Sequence, residues 1–251
     1  RSDTRHFGER DMQLAVAVGH LAALTIERVT LLHRVHEEQR VRQLLQRFVA
    51  PAEAEYMLRT YLTSGHLPEL SELNATVLFA DIAGSGAMAE RLGAKPFGRL
   101  LERYYQDVTD IMFQFGGLID KYLGDGIMAV FGMTGMHDNP EERAVSAGLE
   151  ILRLLEARYR TETAHIDVGI GINSGPVVAG YVSTKERVEL TVLGDTVNVA
   201  AGLEQMARPN RLLVGAETHR AVARIFKSKS LGEVTIKDRT QPVDVHEILG
   251  K

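Results

Sequence analysis

The chain has 251 residues, of which 45% are hydrophobic and 25% are charged, a composition typical of a folded globular protein. Its formal net charge of −4 argues against a basic surface that coats nucleic acid, so no nucleic-acid partner is expected. The absence of cysteine excludes disulfides, thiolate metal sites and a cysteine nucleophile.

The N-terminal part of the chain predicts a long helix over residues 9–48, because this stretch lacks proline and is rich in helix-forming residues. Its apolar positions fit a seven-residue repeat, which predicts a dimeric coiled coil. Charged residues interrupt the seam, and an amphipathic helix packed on its own domain is the alternative. The apolar positions are Leu24, Leu31, Val35, Leu45 and Val49, and the interrupting residues are Arg28, Glu38 and Arg42.

The same stretch bears on cellular location. Its longest run without Asp, Glu, Lys or Arg extends from Met12 to Ile26, which is shorter than the ~20 residues that a bilayer requires. Acidic residues, among them Glu9 and Asp11, argue against a signal peptide. We therefore expect no membrane span and a cytoplasmic location. Because the chain begins with Arg1, we expect it to be a fragment of a longer protein.

Residues 7–27 resemble the last helix of a GAF sensor domain. Such helices begin with an aromatic residue and an acidic cluster, as in Phe7-Gly8-Glu9-Arg10-Asp11, and continue into a linker. The resemblance implies that an N-terminal sensor domain precedes this chain and is absent from it.

A second short helix is predicted to begin at Pro51 and to end near Gly65, because proline is favoured at the first helical position. The loop over residues 64–68 is the expected domain boundary. The chain is thus expected to contain a helical arm over residues 1–50, a short helix and connecting loop over 51–72, and a globular domain over 73–251.

The globular part alternates between predicted strands and helices. Gly124-Asp125-Gly126 predicts a hairpin turn, and Asn173-Ser174-Gly175 predicts a turn between two further strands. The order of elements predicts an α+β fold with a ferredoxin-like antiparallel sheet and helices. The predicted strands are 76–80, 118–123, 127–131, 166–172, 177–182, 211–214, 234–237 and 243–248, and the predicted helices are 97–115, 140–159 and 196–206.

Two aspartates stand out in this pattern. Asp81 ends an apolar strand, and Asp125 lies between two glycines at the hairpin tip. Two carboxylates on neighbouring strands can hold hard cations such as Mg²⁺, and the glycines after Asp81 leave amide groups that can bind phosphate. Such an arrangement suits two-metal phosphoryl transfer. The alternative is that Asp81 caps the next helix and Asp125 is a turn residue.

Four sequence runs resemble the class III nucleotidyl cyclases in order and spacing. They are Phe79-Ala-Asp-Ile-Ala-Gly84, Lys121-Tyr-Leu-Gly-Asp-Gly126, Gly171-Ile-Asn-Ser-Gly175 and Leu193-Gly-Asp-Thr-Val-Asn-Val-Ala-Ala201. The resemblance covers about residues 73–249. It implies an enzyme that forms 3′,5′-cyclic nucleotides from nucleoside triphosphates and releases pyrophosphate. Sites of this family lie between two cyclase domains, which implies a homodimer here.

The resemblance also implies which residues form the metal and phosphate sites. Asp81 and Asp125, with the carbonyl of Ile82, would hold two Mg²⁺ or Mn²⁺ ions per active site. The backbone of Gly84, Ser85 and Gly86 would bind phosphate, and Ser85-Gly86 departs from the Phe-Thr pair that is common in the family.

Substrate recognition follows from the same match. Lys121 would donate to N1 of adenine, and Thr191 would accept from the adenine amino group. Asn198 would position the ribose, and Lys237 would bind phosphate. These residues imply ATP as the substrate, and hence an adenylate cyclase whose activity the N-terminal helix regulates by moving the two protomers.

One departure bears on activity. The family usually has an arginine four residues after the ribose asparagine, where this chain has Gly202. Loss of such a charge stabiliser typically costs ~10²–10³-fold in rate, so Gly202→Arg is expected to raise turnover. Arg187 and Arg208 are candidate replacements. The alternative function is a degenerate cyclase domain that binds ATP and dimerises with little turnover.

Overall fold

The computed structural model describes residues 8–45, 51–65, 69–133, 138–159, 165–183, 188–236 and 239–251. The chain divides into two compact units, Arg1–Phe48 and Val49–Lys251, and each is described separately below.

Among its described residues, the first unit forms one helix, α1 (Glu9–Leu45), which confirms the predicted long helix as far as Leu45. Residues 46–50, including Val49 of the predicted seam, lie outside the described residues. Within Glu9–Glu37, α1 contains an 18-residue window with a mean hydropathy of 1.5, so by length and composition this helix could cross a membrane. This candidate span rests on length and composition alone, and the absence of a membrane span stays a prediction.

The second unit begins with α2 (Pro51–Ser64), the predicted short helix. Met57 of α2 is buried in a cluster that includes Val77 and Val130, so this helix packs against the sheet. Of the loop at 64–68, residues 66–68 lie outside the described residues.

The described residues of this unit form an eight-stranded sheet in the order β2-β3-β1-β4-β6-β8-β7, with β5 paired to β4. All pairs are antiparallel except β4 with β6. This topology confirms an α+β fold with a predominantly antiparallel sheet. The strands are β1 (Ser71–Ile82), β2 (Leu118–Leu123), β3 (Gly126–Phe131), β4 (Val168–Ser183), β5 (Val188–Leu193), β6 (Arg211–Gly215), β7 (Lys227–Val234) and β8 (Val243–Gly250).

Helices cover both faces of the sheet. Alternate residues of β1 divide between the faces: Leu78, Ala80 and Ile82 join the larger core, whereas Val77 joins the cluster with α2. The remaining helices are α3 (Ser85–Leu92), α4 (Ala94–Gln114), α5 (Pro140–Tyr159), α6 (Asp195–Met206) and α7 (Ala216–Val222). Residues of α3, α4, α5 and α7 pack in the larger core, whereas α6 contributes to the opposite face.

The predicted turn at residues 173–175 is wrong, because β4 runs unbroken through it and pairs with β1 from Val168 to Ala179. Turn-forming residues are tolerated here because their polar groups bond to a neighbouring strand and to two helices, α6 and α7. The Ser174 hydroxyl lies 2.9 Å from Thr76 Oγ1 and 2.8 Å from Thr218 Oγ1. These tertiary bonds thus outweigh the local turn preference.

Other differences concern polar or short segments. The strand predicted at 234–237 is replaced by β7, which ends at Val234, and residue 237 lies outside the described residues. The sequence analysis did not assign β5, α3 or α7. The polar run of β7 and the shortness of α3 and α7 leave little hydrophobic periodicity to detect.

Candidate active site

The end of β1 and the turn between β2 and β3 bring two carboxylates together. Asp81 is paired across the strands with Gly126, which directly follows Asp125. A Cβ atom at Gly126 would lie 3.2 Å from Asp81 Oδ2, so glycine leaves room for that carboxylate. The Asp125 carboxylate is near enough to Asp81 to raise the pKa of Asp81. The structure thus juxtaposes the two aspartates that the sequence singled out.

The electrostatics of this pair suit a bound cation. Burial, together with the adjacent Asp125 carboxylate, raises the pKa of Asp81 to about 7, although the nearby Arg208 opposes the rise. Among the described residues, no donor reaches Asp81 Oδ1, which is buried. A buried carboxylate oxygen without a donor, next to a second carboxylate, is a set that divalent cations satisfy. The residues present therefore fit a divalent metal.

A cation held here would complete its coordination shell with other oxygens. Within the described part of the chain, no group of three or more His, Asp or Glu side chains forms a metal site. Ile82, whose carbonyl was predicted from the sequence as a ligand, directly follows Asp81 at the end of β1. Water or phosphate oxygens would occupy the remaining positions, which is usual for Mg²⁺.

The segment after the carboxylates turns directly into α3. Gly84 has a φ of 71°, in the left-handed region that favours glycine, and precedes the first helical residue, Ser85. Ser85 and Gly86 lie in the first turn of α3, where backbone amide groups have no acceptor within the helix. These amides begin four residues after Asp81, which suits an anion held beside the cation.

Helix α6 reaches this site because two glycines of β4 let its backbone approach closely. A Cβ atom at Gly169 would lie 2.5 Å from the Glu204 carbonyl oxygen, and one at Gly171 would overlap the Glu204 backbone nitrogen. Gly169 is also the cross-strand neighbour of Asp81. The end of α6 is therefore fixed beside the carboxylate pair.

Two charged residues from this part of the chain complete the cluster. Arg208 Nη2 donates to Asp81 Oδ2 at 2.9 Å, and Arg208 Nε donates to Glu204 Oε1 at 2.7 Å. Burial raises the pKa of Glu204 despite this ion pair. The sequence analysis noted Arg208 but missed Glu204. The spacing of four residues between them was the available signal.

Two tyrosines of α4 also border the site. Tyr104 is fully buried, and its hydroxyl has no hydrogen-bond partner among the described residues. Burial and then the charges of Asp81 and Asp125 raise the pKa of Tyr104. Tyr105 donates its hydroxyl hydrogen to the Gly124 carbonyl and so supports the β2–β3 turn. Neither tyrosine was among the site residues predicted from the sequence.

Lys121 lies in β2, in a polar cluster of its own. A bulge between Ile119 and Lys121 places Asp120 so that its Oδ2 lies 2.8 Å from Lys121 Nζ. The Asp120 side chain is fully buried, and burial raises the pKa of its carboxyl group although Lys121 opposes the rise. The charge of Glu189, a residue of β5, also acts on Asp120, so β5 lies close to this cluster. Thr191 lies two residues further along β5 and is half-buried.

The start of α6 is anchored to the middle of β4. Thr196 Oγ1 donates to the Pro176 carbonyl at 2.8 Å, and Asn173 Nδ2 donates to the Thr196 carbonyl at 3.3 Å. Asn198 is exposed one turn into the helix. Lys237 and Arg187 lie outside the described residues.

Gly202 has no room for a side chain. A Cβ atom there would overlap Cγ2 of Ile236, which is buried with Val199 and Leu203. The structure therefore gives a packing reason for glycine at this position. We no longer expect Gly202→Arg to raise turnover.

Comparison with known proteins places these features in a family. The model of the adenylate and guanylate cyclase catalytic domain matches residues 69–249. An uncharacterized protein of Mycobacterium tuberculosis is 34% identical over 218 residues, which cover 84% of this chain and 39% of the relative. An uncharacterized protein of Mycobacterium bovis matches with the same identity and coverage. The chain thus spans about two fifths of the length of these relatives.

Solved structures agree on the fold. The adenylyl cyclase CyaB from P. aeruginosa has a TM-score of 0.68 at 26% identity, over 73% of this chain and 97% of that one. The guanylyl cyclase Cya2 has a TM-score of 0.65 at 26% identity, over 72% and 94% of the two chains. A bacterial light-regulated adenylyl cyclase, at 24% identity and a TM-score of 0.70, shares the fold over 90% of this chain and 65% of its own.

Proposed function

The chain belongs to the adenylate and guanylate cyclase catalytic-domain family, and on that premise we propose that it is an adenylate cyclase. In the proposed reaction the ribose 3′-oxygen of ATP attacks the α-phosphorus and loses its proton. The bond between the α-phosphorus and the oxygen that bridges the α- and β-phosphates breaks, so the products are 3′,5′-cyclic AMP and pyrophosphate. The convergence of Asp81 and Asp125 carries this proposal.

Asp81, Asp125 and the Ile82 carbonyl are proposed to hold two Mg²⁺ or Mn²⁺ ions per active site. Bound there, the ions would lower the pKa of the 3′-hydroxyl and neutralise charge on the leaving pyrophosphate. The amides of Gly84, Ser85 and Gly86 are proposed to bind phosphate, since they begin a helix directly after the carboxylate strand.

Lys121 and Thr191 are proposed to select adenine. The Lys121 ammonium donates to a lone pair, which adenine has at N1, whereas guanine carries a hydrogen there. Thr191 accepts from the adenine amino group through its hydroxyl oxygen. The approach of β2 and β5 supports their joint action, since Glu189 of β5 acts on Asp120 beside Lys121. Asn198 is proposed to position the ribose and Lys237 to bind phosphate.

The enzyme is proposed to act as a homodimer, with metal-binding and base-binding residues of each site on different protomers. The arm, α1, is proposed to link the catalytic domain to a preceding GAF-like sensor domain as a coiled coil, in the cytoplasm. Leu24, Leu31 and Val35, which belong to its predicted seam, are 50–63% exposed and so remain available for a second helix. A small movement of the protomers would misplace the reacting groups and lower the rate.

The test is incubation of the protein with ATP or GTP and Mn²⁺, followed by measurement of cyclic nucleotide and pyrophosphate. We expect cyclic AMP and pyrophosphate in equal amounts from wild type and neither from Asp81→Ala, with folding checked by circular dichroism. Cyclic GMP as the main product would overturn the substrate assignment, and undiminished product from Asp81→Ala would overturn the metal assignment.

A degenerate domain that binds ATP without turnover is the second candidate. Gly202 favours it, because the chain lacks the arginine that the family usually has there, and a Cβ atom at this position would overlap Ile236. ATP binding by calorimetry without product formation, under conditions where the protein is dimeric, would establish this alternative.

A further inference from the structure

Arg208 bridges two carboxylates at the site. It lies just after α6, and its guanidinium donates to Asp81 Oδ2 at 2.9 Å and to Glu204 Oε1 at 2.7 Å. A guanidinium stays charged at every physiological pH, and its planar fork fixes the direction of its hydrogen bonds. A permanent positive charge therefore lies against a proposed metal ligand.

The fold holds this guanidinium in place. The Glu204 side chain is only 6% exposed, so a buried carboxylate fixes one edge of Arg208. A Cβ atom at Gly169 would lie 2.7 Å from Arg208 Cγ, so the aliphatic stem lies directly on β4 beside Asp81. Arg208 is thus built into the site rather than extended into solvent.

The position of Arg208 has a consequence for cation binding. Three carboxylates, Asp81, Asp125 and Glu204, act on one another electrostatically, and Arg208 offsets part of their charge. A divalent cation on the Asp81–Asp125 pair would lie close to the guanidinium and be repelled by it. It would also compete with Arg208 for the Asp81 Oδ2 lone pairs.

We propose that Arg208 is a resident counter-ion that competes with the divalent metal for Asp81 and so sets how much metal the site needs. This inference rests on the proposed role of Asp81 and Asp125 as metal ligands. In it, Arg208 is a positioning residue, which acts through Asp81 and Glu204. Metal binding frees the Oδ2 atom, and Arg208 then keeps only its bond to Glu204.

The test is a titration of the full chain with Mn²⁺ in the absence of nucleotide. Electron paramagnetic resonance measures the free ion and hence the affinity for Mn²⁺. Arg208→Gln should tighten binding by roughly tenfold, because the competing charge is gone. Arg208→Lys should bind Mn²⁺ much as wild type does, because it keeps the charge. Glu204→Gln should weaken binding, because it removes one of the three negative charges that offset Arg208. The opposite signs of the two glutamine variants separate competition from a structural role.

Arg211→Gln is the matched control, since it removes the same charge from an arginine that donates to the Met206 carbonyl. It should leave the affinity near that of wild type. A second readout is the melting temperature, which Mn²⁺ should raise more in Arg208→Gln than in wild type.

The outcomes distinguish this inference from the proposed function. If Asp81→Asn leaves Mn²⁺ binding unchanged, the metal site itself is wrong. If Asp81→Asn abolishes binding but Arg208→Gln binds Mn²⁺ no more tightly than wild type, only the competition is overturned.

Discussion

Gly171 of β4 lies directly against Glu204 of α6, so closely that a Cβ atom at Gly171 would overlap the Glu204 backbone nitrogen and the Ala200 carbonyl oxygen. This contact sets the height of α6 above the sheet. Helix α6 carries Glu204 and Asn198 and leads into Arg208. The geometry of the site therefore depends on residue 171 being glycine, which has no side chain to hold α6 away from the sheet.

Gly171→Ala should therefore damage stability and activity together. Forcing a methyl group into a backbone contact typically costs about 1–3 kcal/mol of unfolding free energy. Urea denaturation and cyclase assays measure the two effects. Gly98→Ala in α4 is the control, since nothing lies within 4 Å of a Cβ atom there. The control should be unchanged or more stable by ~0.5–1 kcal/mol. Equal behaviour of the two variants would contradict the packing argument.

Gly202→Ala should also destabilise, because its Cβ atom would overlap Cγ2 of Ile236. Gly202→Arg should then lose stability without gaining turnover. The cost of Gly202→Ala, measured by urea denaturation, should shrink in an Ile236→Ala background, where the obstructing group is absent. An undiminished cost in that background, or a faster Gly202→Arg enzyme, would show that packing does not explain the glycine.

The base preference should depend on Lys121 and Thr191 together. Replacing the donor and the acceptor, in Lys121→Glu with Thr191→Cys, should shift the ratio of kcat/KM for ATP over GTP toward GTP. Thr191→Ser keeps the hydroxyl and serves as the control, with its ATP preference retained. Full ATP preference in the folded double variant would rule out this assignment.

The stabilising contribution of neutral His219 should be lost in acid. Its ring stacks on His246 with centroids 3.6 Å apart, and His246 Nε2 lies 3.0 Å from Asp244 Oδ2. Burial and then His246 lower the pKa of His219, whereas Asp244 opposes this shift. The unfolded chain, with an ordinary histidine pKa of ~6.5, therefore binds more protons. The contribution of His219 to the free energy of unfolding is complete above pH ~6.5 and is lost as the pH falls below that value.

Urea denaturation at about pH 7.5 and about pH 5.5 measures this effect. As the pH falls from the first value to the second, the free energy of unfolding should change less favourably in wild type than in His219→Gln, because only wild type loses the His219 contribution. The raised pKa of Asp81 acts in the opposite direction and is common to both proteins. Because both proteins share every other titrating group, the difference isolates His219. An identical change in both proteins would show that His219 does not titrate as described.

Local sequence signals predicted those elements whose cause is local. Pro140 favours a helix start, and α5 begins there and ends at the predicted Tyr159. The Gly124-Asp125-Gly126 turn likewise joins β2 and β3 as expected. Residues 173–175 misled because their turn propensity is local, whereas the bonds from Ser174 to Thr76 and Thr218 are tertiary.

The candidate site divides in the same way. Asp81 and Asp125 could be identified because the first lies at the end of a recognisable strand and the second lies within a recognisable turn. Glu204 and Arg208 could not be placed, because their approach to Asp81 depends on the close contact of α6 with Gly169 and Gly171 across distant parts of the chain. Spacing within one helix cannot report that contact.

Complementation between two inactive variants tests most directly whether cyclic nucleotide formation uses Asp81 from one protomer and Lys121 from the other. Asp81→Ala and Lys121→Ala should each be folded, dimeric and inactive alone. After unfolding, mixing and refolding together, heterodimers should contain one intact site and recover part of the wild-type cyclic AMP production. If the mixture stays inactive although heterodimers form, the shared site is contradicted.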